Sequence, residues 1–272
     1  MTDKQKVEMT FLEHLEELRW HIIRSTIVIV IFAVLAFIYK QIVFDMIILG
    51  PGQGDFITIK LLCRLGHAMN IPRLCFNTQP MVLQSIEMAG QFTTHIKISI
   101  IAGLIVASPY VFYEFWKFVR PALYTKERKA ARGAVLAVSL LFFTGVLFGY
   151  LVICPLTINF LMNYRVSDMA QNNIKLMSYV STVTGIGMAT GVVFELPAVM
   201  YFLTRIGLVT PDFLKKYRKH AIVVVLILAA IITPSPDVFS QLLVAVPLFF
   251  LYEISILVSK RVYRKEKERL SG

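Results

Sequence analysis

TFLEHLEELRWHIIR, Thr10 to Arg24, runs without a break into STIVIVIFAVLAFIY, Ser25 to Tyr39, and the junction of these two stretches decides the fold. The first carries the tightest carboxylate cluster of the chain, Glu13, Glu16 and Glu17; the second holds no charged side chain. Thr10 with Glu13 has the form of a capping box, and Phe11, Leu15, Leu18 and Ile22 recur at helical spacing, which predicts a helix starting here. The uncharged run that follows is close to the roughly 20 residues needed to cross about 30 Å of hydrocarbon. The helix therefore enters a membrane with its carboxylates at the edge. Its polar face carries Glu13, Glu17, His21 and Arg24, which i,i+4 pairing on a solvated face would also explain.

The rest of the composition agrees: 57% hydrophobic, 17% charged and a mean hydropathy of +0.68 lie far from ordinary soluble domains. A soluble fold would have to bury Gly133 to Tyr164, a second long run without formal charge, in the same core as Ser25 to Tyr39. The expected class is all-α and polytopic, a single integral membrane domain over residues 1–272, with no internal repeat. No n-region, h-region and cleavage site precedes the first apolar run, so no cleavable signal is expected.

Six spans are expected, at about 22–39, 92–119, 133–154, 176–206, 221–233 and 238–258. Arg24 can snorkel at the start of the first. Pro109 sits inside the second, with Lys97 near one end and Glu114 near the other. Pro155 reads as the stop of the third. The fourth holds one charge, Glu195, followed at once by Leu196 and Pro197. The last two spans read as short, since Ala221 to Ile232 amounts to only about 18 Å of helix. Residues 44–91 read as an external cap, broken by Gly50, Pro51, Gly52 and Gly54, with Ile57, Leu61, Leu62 and Leu65 marking a short amphipathic helix.

Positive charge assigns the sides. Of the 28 lysines and arginines, 21 fall near the N-terminus, in the second-to-third and fourth-to-fifth connections and in the C-terminal tail; six fall on the opposite side, and Lys97 lies within the second span. Both termini are therefore expected in the cytoplasm. The net charge of +11 then reflects topology and contact with anionic lipids, without nucleic acid.

Few residues suggest chemistry. There is no HExxH, GxSxG or P-loop, so no enzyme, cofactor or metal is expected. The three cysteines form no zinc or redox motif; Cys63 and Cys75, twelve apart in the cap, are placed where a disulfide can brace it. Trp20, Trp116, Tyr110, Tyr113 and Tyr124 read as an interfacial aromatic belt, and His95 as interfacial. Glu195 stands apart, because an ionisable group at membrane depth costs at least roughly 2.5 kcal/mol unless it faces protein or water. It reads either as a functional group or as a polar tether to another helix. One alternative function, a secondary transporter, would use Lys97 and Glu195 as an ion or proton relay, though no inverted repeat supports it.

Five segments taken together are specific: FLEHLEELR at the first span, RPALYTKER between the second and third, FGYLVICP closing the third, FELP late in the fourth and TPSPDVFSQ between the fifth and sixth. In this order and spacing the chain resembles the TatC family, the receptor subunit of the twin-arginine protein translocase. The main departure is the longer stretch from Asp55 to Phe76 in the cap.

The resemblance implies a curved six-helix receptor of the bacterial cytoplasmic (inner) membrane that binds twin-arginine signal peptides of folded precursors. It implies assembly with small single-span subunits of the TatA and TatB type, as a homo-oligomer within a hetero-complex, and export driven by proton motive force. Glu17 and Glu127 match the family's recognition carboxylates, with Arg19 and Phe118 at matching positions beside them. Glu195 matches its membrane-embedded acid and Tyr150 its third-helix aromatic. Asp237 and Gln241 match its short external turn, and Pro51 a further family position. The chemistry is consistent, since a guanidinium presents a planar fork that carboxylates bind bidentately.

Overall fold

The computed structural model describes residues 11–68, 70, 82–119, 130–164, 167, 173–233 and 238–270. Glu127, Asp237 and Cys75 lie outside them. Ten α-helices are seen among the described residues: α1 (Phe11–Ile38), α2 (Ile57–Ala68), α3 (Gly90–Val119), α4 (Ala130–Phe148), α5 (Cys154–Asn163), α6 (Leu176–Phe194), α7 (Leu196–Arg205), α8 (Pro211–Lys216), α9 (Arg218–Ile232) and α10 (Val238–Leu270). Two-residue strands β1 (Leu83–Gln84) and β2 (Ile174–Lys175) pair in parallel.

Among the described residues, six stretches are long and apolar enough to cross a membrane: Leu15–Ile38, Gln41–Ala68, Gly90–Val119, Gly133–Asn163, Leu176–Arg205 and Gln241–Lys265. The second of these meets the requirement on length and composition only. It is broken by a tight turn at Gly50–Gly52, leaving a π-helical piece of 8 residues (Gln41–Ile48) and the 12 residues of α2. Neither piece alone covers the roughly 30 Å of a bilayer core. Helix α9, with 15 residues, is the shorter member of the last pair.

Two expectations about helix ends are corrected. Pro155 does not stop the third long helix. The chain widens into a π-helical turn at Gly149–Ile153 and continues as α5 to Asn163, with the proline accommodated in the first turn of α5, where no intrahelical donor is needed. The Leu151 carbonyl, four residues before the proline, accepts instead from the Thr58 hydroxyl of the cap. The last helix is not short either: α10 runs 33 residues. Its apolar run gives way to a basic run rich in good helix formers, and Arg264 meets Glu268 at 2.8 Å one turn on, so the helix continues past the hydrophobic segment.

The chain divides into two compact units, Met1–Ile38 with Ser99–Ser139, and Tyr39–Ile98 with Leu140–Gly272. In the first, α1 and α3 approach so closely that a Cβ on Gly103 would lie 2.6 Å from the Ala33 nitrogen, a spacing only glycine permits. Pro109 lies within α3 and deprives the Ile105 carbonyl of its usual donor; the Ser108 hydroxyl donates to that carbonyl at 2.8 Å.

In the second unit the core gathers Ile48, Ile153, Ile158, Val180, Ile186, Val225, Val244 and Leu248. The α4 side packs on α6 through glycines: a Cβ on Gly145 would fall 2.7 Å from the Phe194 Cβ, and one on Gly149 would strike the Thr190 hydroxyl. Helix α7 is joined to α10 by a Thr204–Ser259 hydroxyl pair at 2.8 Å, and α8 by the Tyr252 hydroxyl, which donates to the Leu214 carbonyl at 2.6 Å.

Candidate functional sites at Glu17 and Glu195

The carboxylate-bearing end of α1 packs against the last turns of α3. Glu114, 3% exposed, accepts from two directions: the His21 Nδ1–H reaches its Oε2, and the Tyr110 hydroxyl, one turn back on α3, reaches Oε1 at 2.8 Å. His21 is itself only 6% exposed, so the histidine read as part of a solvated face lies inside the helix pair. Its ring stands edge-on to Phe118, centroids 6.1 Å apart and planes at 68°. Satisfying both carboxylate oxygens is what makes the buried acid tolerable.

One turn before His21 lies Glu17, half-buried, with its Oε2 shielded from solvent and without a hydrogen-bond partner among the described residues. Arg19 and Trp20 point to solvent or lipid. The structure thus sets Glu17 one turn from a histidine that touches Phe118, while Glu127 falls outside the described residues. Sequence reasoning missed Glu114 and the role of Tyr110, read as belt. The usable signal was an acid and a histidine at the same expected depth on neighbouring spans.

In the second unit Glu195 sits where α6 gives way to α7, with Pro197 in the first turn of α7. It is 9% exposed, and neither carboxylate oxygen has a hydrogen-bond partner among the described residues; the backbone of Phe142 on α4 comes near without meeting hydrogen-bond geometry. Lys97 is not brought to it. The lysine donates to the Ser181 hydroxyl at 2.7 Å, fourteen residues before Glu195 and so roughly 21 Å away along α6. A Lys97 and Glu195 relay lacks that contact.

Tyr150 and Pro51 do come together. The Tyr150 hydroxyl donates to the Ile47 carbonyl at 2.6 Å, its ring lies edge-on to Phe56, and the Tyr179 hydroxyl donates to the Ile48 carbonyl at 3.0 Å. Two tyrosines thereby satisfy carbonyls at the end of the π-helical piece, just before the buried Gly50-Pro51-Gly52 turn. Gln241 donates to the Leu226 carbonyl at 3.1 Å, tying α10 to α9. Cys63 is disulfide-bonded and Cys154 is free and buried. Among the described residues no cluster of histidine, cysteine, aspartate or glutamate could hold a metal.

Comparison with known proteins agrees with this architecture. The family model described as TatC, Sec-independent protein translocase protein, matches residues 13–247. The Sec-independent protein translocase protein TatC of Blattabacterium sp. subsp. Periplaneta americana is 41% identical over 264 residues, covering 96% of this chain and 99% of the relative. The protein of the same name from Aquifex aeolicus is 36% identical, covering 96% and 98%. Two solved structures of a twin arginine translocase receptor TatC are also similar. One is 33% identical with a TM-score of 0.67, covering 92% of this chain and 99% of that one. The other, in DDM, is 34% identical with a TM-score of 0.71, covering 91% and 99%.

Proposed function

Because the chain belongs to the TatC family of Sec-independent protein translocase proteins, we propose that its Glu17 end receives the twin-arginine signal peptides of folded precursors, with Glu17 and Glu127 gripping the arginine pair. The observation that carries this reading is the Glu17 carboxylate itself. One of its oxygens is held out of water without a partner among the described residues, beside a packed His21 and Phe118. A desolvated acceptor left open favours a ligand that brings its own donors, and a guanidinium brings them as a planar fork.

Two carboxylates explain selectivity better than one. A single exposed ion pair contributes only about 0 to 1 kcal/mol, whereas charge-assisted hydrogen bonds contribute about 1.5 to 3 kcal/mol each. Arg19, two residues from Glu17, and Lys126, Arg128 and Lys129, next to Glu127 in the sequence, would repel cationic peptides that do not place arginines on the acids. In this proposal the receptor is a multi-pass protein of the inner membrane with both termini cytoplasmic. Glu195, deep in the fourth long helix, serves assembly with small single-span subunits or the transport step powered by proton motive force.

Precursor crosslinking to twin-arginine and twin-lysine signals in native membranes tests the reading. Glu17→Ala and Glu127→Ala should each weaken twin-arginine binding by roughly tenfold, about 1.4 kcal/mol, with normal membrane insertion. The double variant should add little, since the pair must be held at both ends. Wild-type binding by both alanine variants would remove the site. Single-cysteine labelling in intact cells checks the orientation: impermeant reagent should reach position 53 and not 216.

A further inference from the structure

We infer that the His21–Glu114 pair is a positioning clamp that sets the axial rotation of α1 and so aims Glu17 at its ligand. The inference rests on the reading of Glu17 as a recognition carboxylate. Two neighbouring helices joined at one place can still turn about that place; a second, well-separated contact removes the freedom.

Both contacts are present. At the first, Gly103 lets the α3 backbone come within contact of Ala33 on α1. At the second, His21 on α1 meets Glu114 on α3. Twelve residues separate Ala33 from His21 and eleven separate Gly103 from Glu114, so the two contacts lie roughly 17 Å apart along either helix and the pair runs antiparallel. The first contact is made by backbone and small side chains and permits sliding. The second is directional, because it depends on hydrogen bonds.

The clamp has three parts with separate duties. The Tyr110 hydroxyl holds Oε1 of Glu114 at 2.8 Å, which leaves Oε2 for His21. Glu114 fixes the imidazole edge. Phe118, edge-on to the ring at 6.1 Å, holds the ring plane. Glu17 lies one helical turn from His21, on the same face of α1, so any rotation of α1 that breaks the clamp also swings Glu17. On the α3 side the helix ends at Val119, one residue after Phe118, and leads into the connection that carries Glu127. The clamp therefore sits on the helix that carries Glu17 and on the helix that precedes Glu127 in the chain. A buried histidine and acid with no other evident duty, paired across 93 residues, are otherwise an expensive way to join two apolar helices.

The test is a double-variant cycle on the full chain in membranes, read as affinity for a twin-arginine precursor per inserted receptor and as the ratio of twin-arginine to twin-lysine affinity. His21→Ala and Glu114→Gln should each weaken twin-arginine binding about fivefold and lower that ratio. His21→Gln, which keeps a donor for the carboxylate, should recover most of the loss. In a Glu17→Ala background, His21→Ala should cost less than twofold more, because its effect passes through Glu17. Should His21→Ala fail to insert, Tyr110→Phe, which removes one hydroxyl and keeps the ring, carries the test with a smaller loss in the same direction. If Glu17→Ala weakens binding while the clamp variants bind and discriminate as wild type, the clamp inference is overturned and the recognition site stands. If His21→Ala costs as much with Glu17 absent as with it present, the pair is a structural joint only. If Glu17→Ala itself binds normally, the underlying site falls and the clamp with it.

Discussion

The Tyr150 hydroxyl and the Ile47 carbonyl, 103 residues apart in sequence and 2.6 Å apart in space, join the third long helix to the turn that opens the cap. The approach is close enough that a Cβ on Gly50 would stand 2.9 Å from the same hydroxyl oxygen. The Tyr150 ring meets Phe56 edge-on, centroids 5.6 Å apart, which leaves the hydroxyl free to reach past it. The hydroxyl is what the Ile47 carbonyl uses at a helix end where intrahelical donors run out.

Tyr150→Phe should therefore destabilise the cap by about 1 kcal/mol, the usual worth of one hydrogen bond at a half-buried site. Gly50→Ala should disturb the same contact by displacing the hydroxyl. The two changes share one interaction, so the double variant should cost less than the sum. Limited proteolysis of the cap in detergent, with thermal unfolding of the purified protein, measures all three.

Glu195→Gln is expected to separate stability from function. The substitution keeps the shape of the side chain and removes an ionisable group that is buried with no hydrogen-bond partner among the described residues. Relieving that desolvation should leave the melting temperature unchanged or raise it, by about 1 kcal/mol at most. Free signal peptide should bind as to wild type, while translocation in membrane vesicles falls about tenfold. Loss of peptide binding would place Glu195 in recognition, and an unchanged translocation rate would make it a tether.

The cap disulfide has a chemical readout. Protein denatured without reductant should present one alkylatable thiol, Cys154, which is buried in the native state, and mass spectrometry should find Cys63 joined to Cys75. Cys63→Ser should loosen the cap by roughly 2 to 4 kcal/mol, the ordinary range for closing a loop of this size. Three free thiols under those conditions would exclude the bond.

Much of the fold was legible because it is written locally. Uncharged runs mark the long helices and Ile57, Leu61 and Leu65 mark α2, whereas the fourth span, read as one run over 176–206, is broken at Glu195 into α6 and α7. Helix ends were less legible. Pro155 reads as a stop, yet the donor it removes is replaced at Leu151 by Thr58, a residue 93 positions away. The basic tail extends α10 because charge ends a membrane span without ending a helix. For the site, Glu17 and Phe118 came from motif and Glu195 from its isolation in an apolar run. The pairing of His21 with Glu114 was illegible, since local periodicity assigns each to a face of its own helix and says nothing of which faces meet. Tyr110 looked like one more belt aromatic until Glu114 was seen one turn beyond it.

The break at Glu195 gives the fourth long helix two allegiances. Its first half, α6, is moored to the cap through Tyr179 and to α3 through the Lys97–Ser181 bond. Its second half, α7, is moored to α10 through Thr204 and Ser259. Pro197 denies the junction a full set of backbone bonds, so the two halves meet as levers at a fulcrum and a tilt of one need not be copied by the other. The uncompensated carboxylate sits on that fulcrum, where a partner that neutralised it would also decide the angle between the levers.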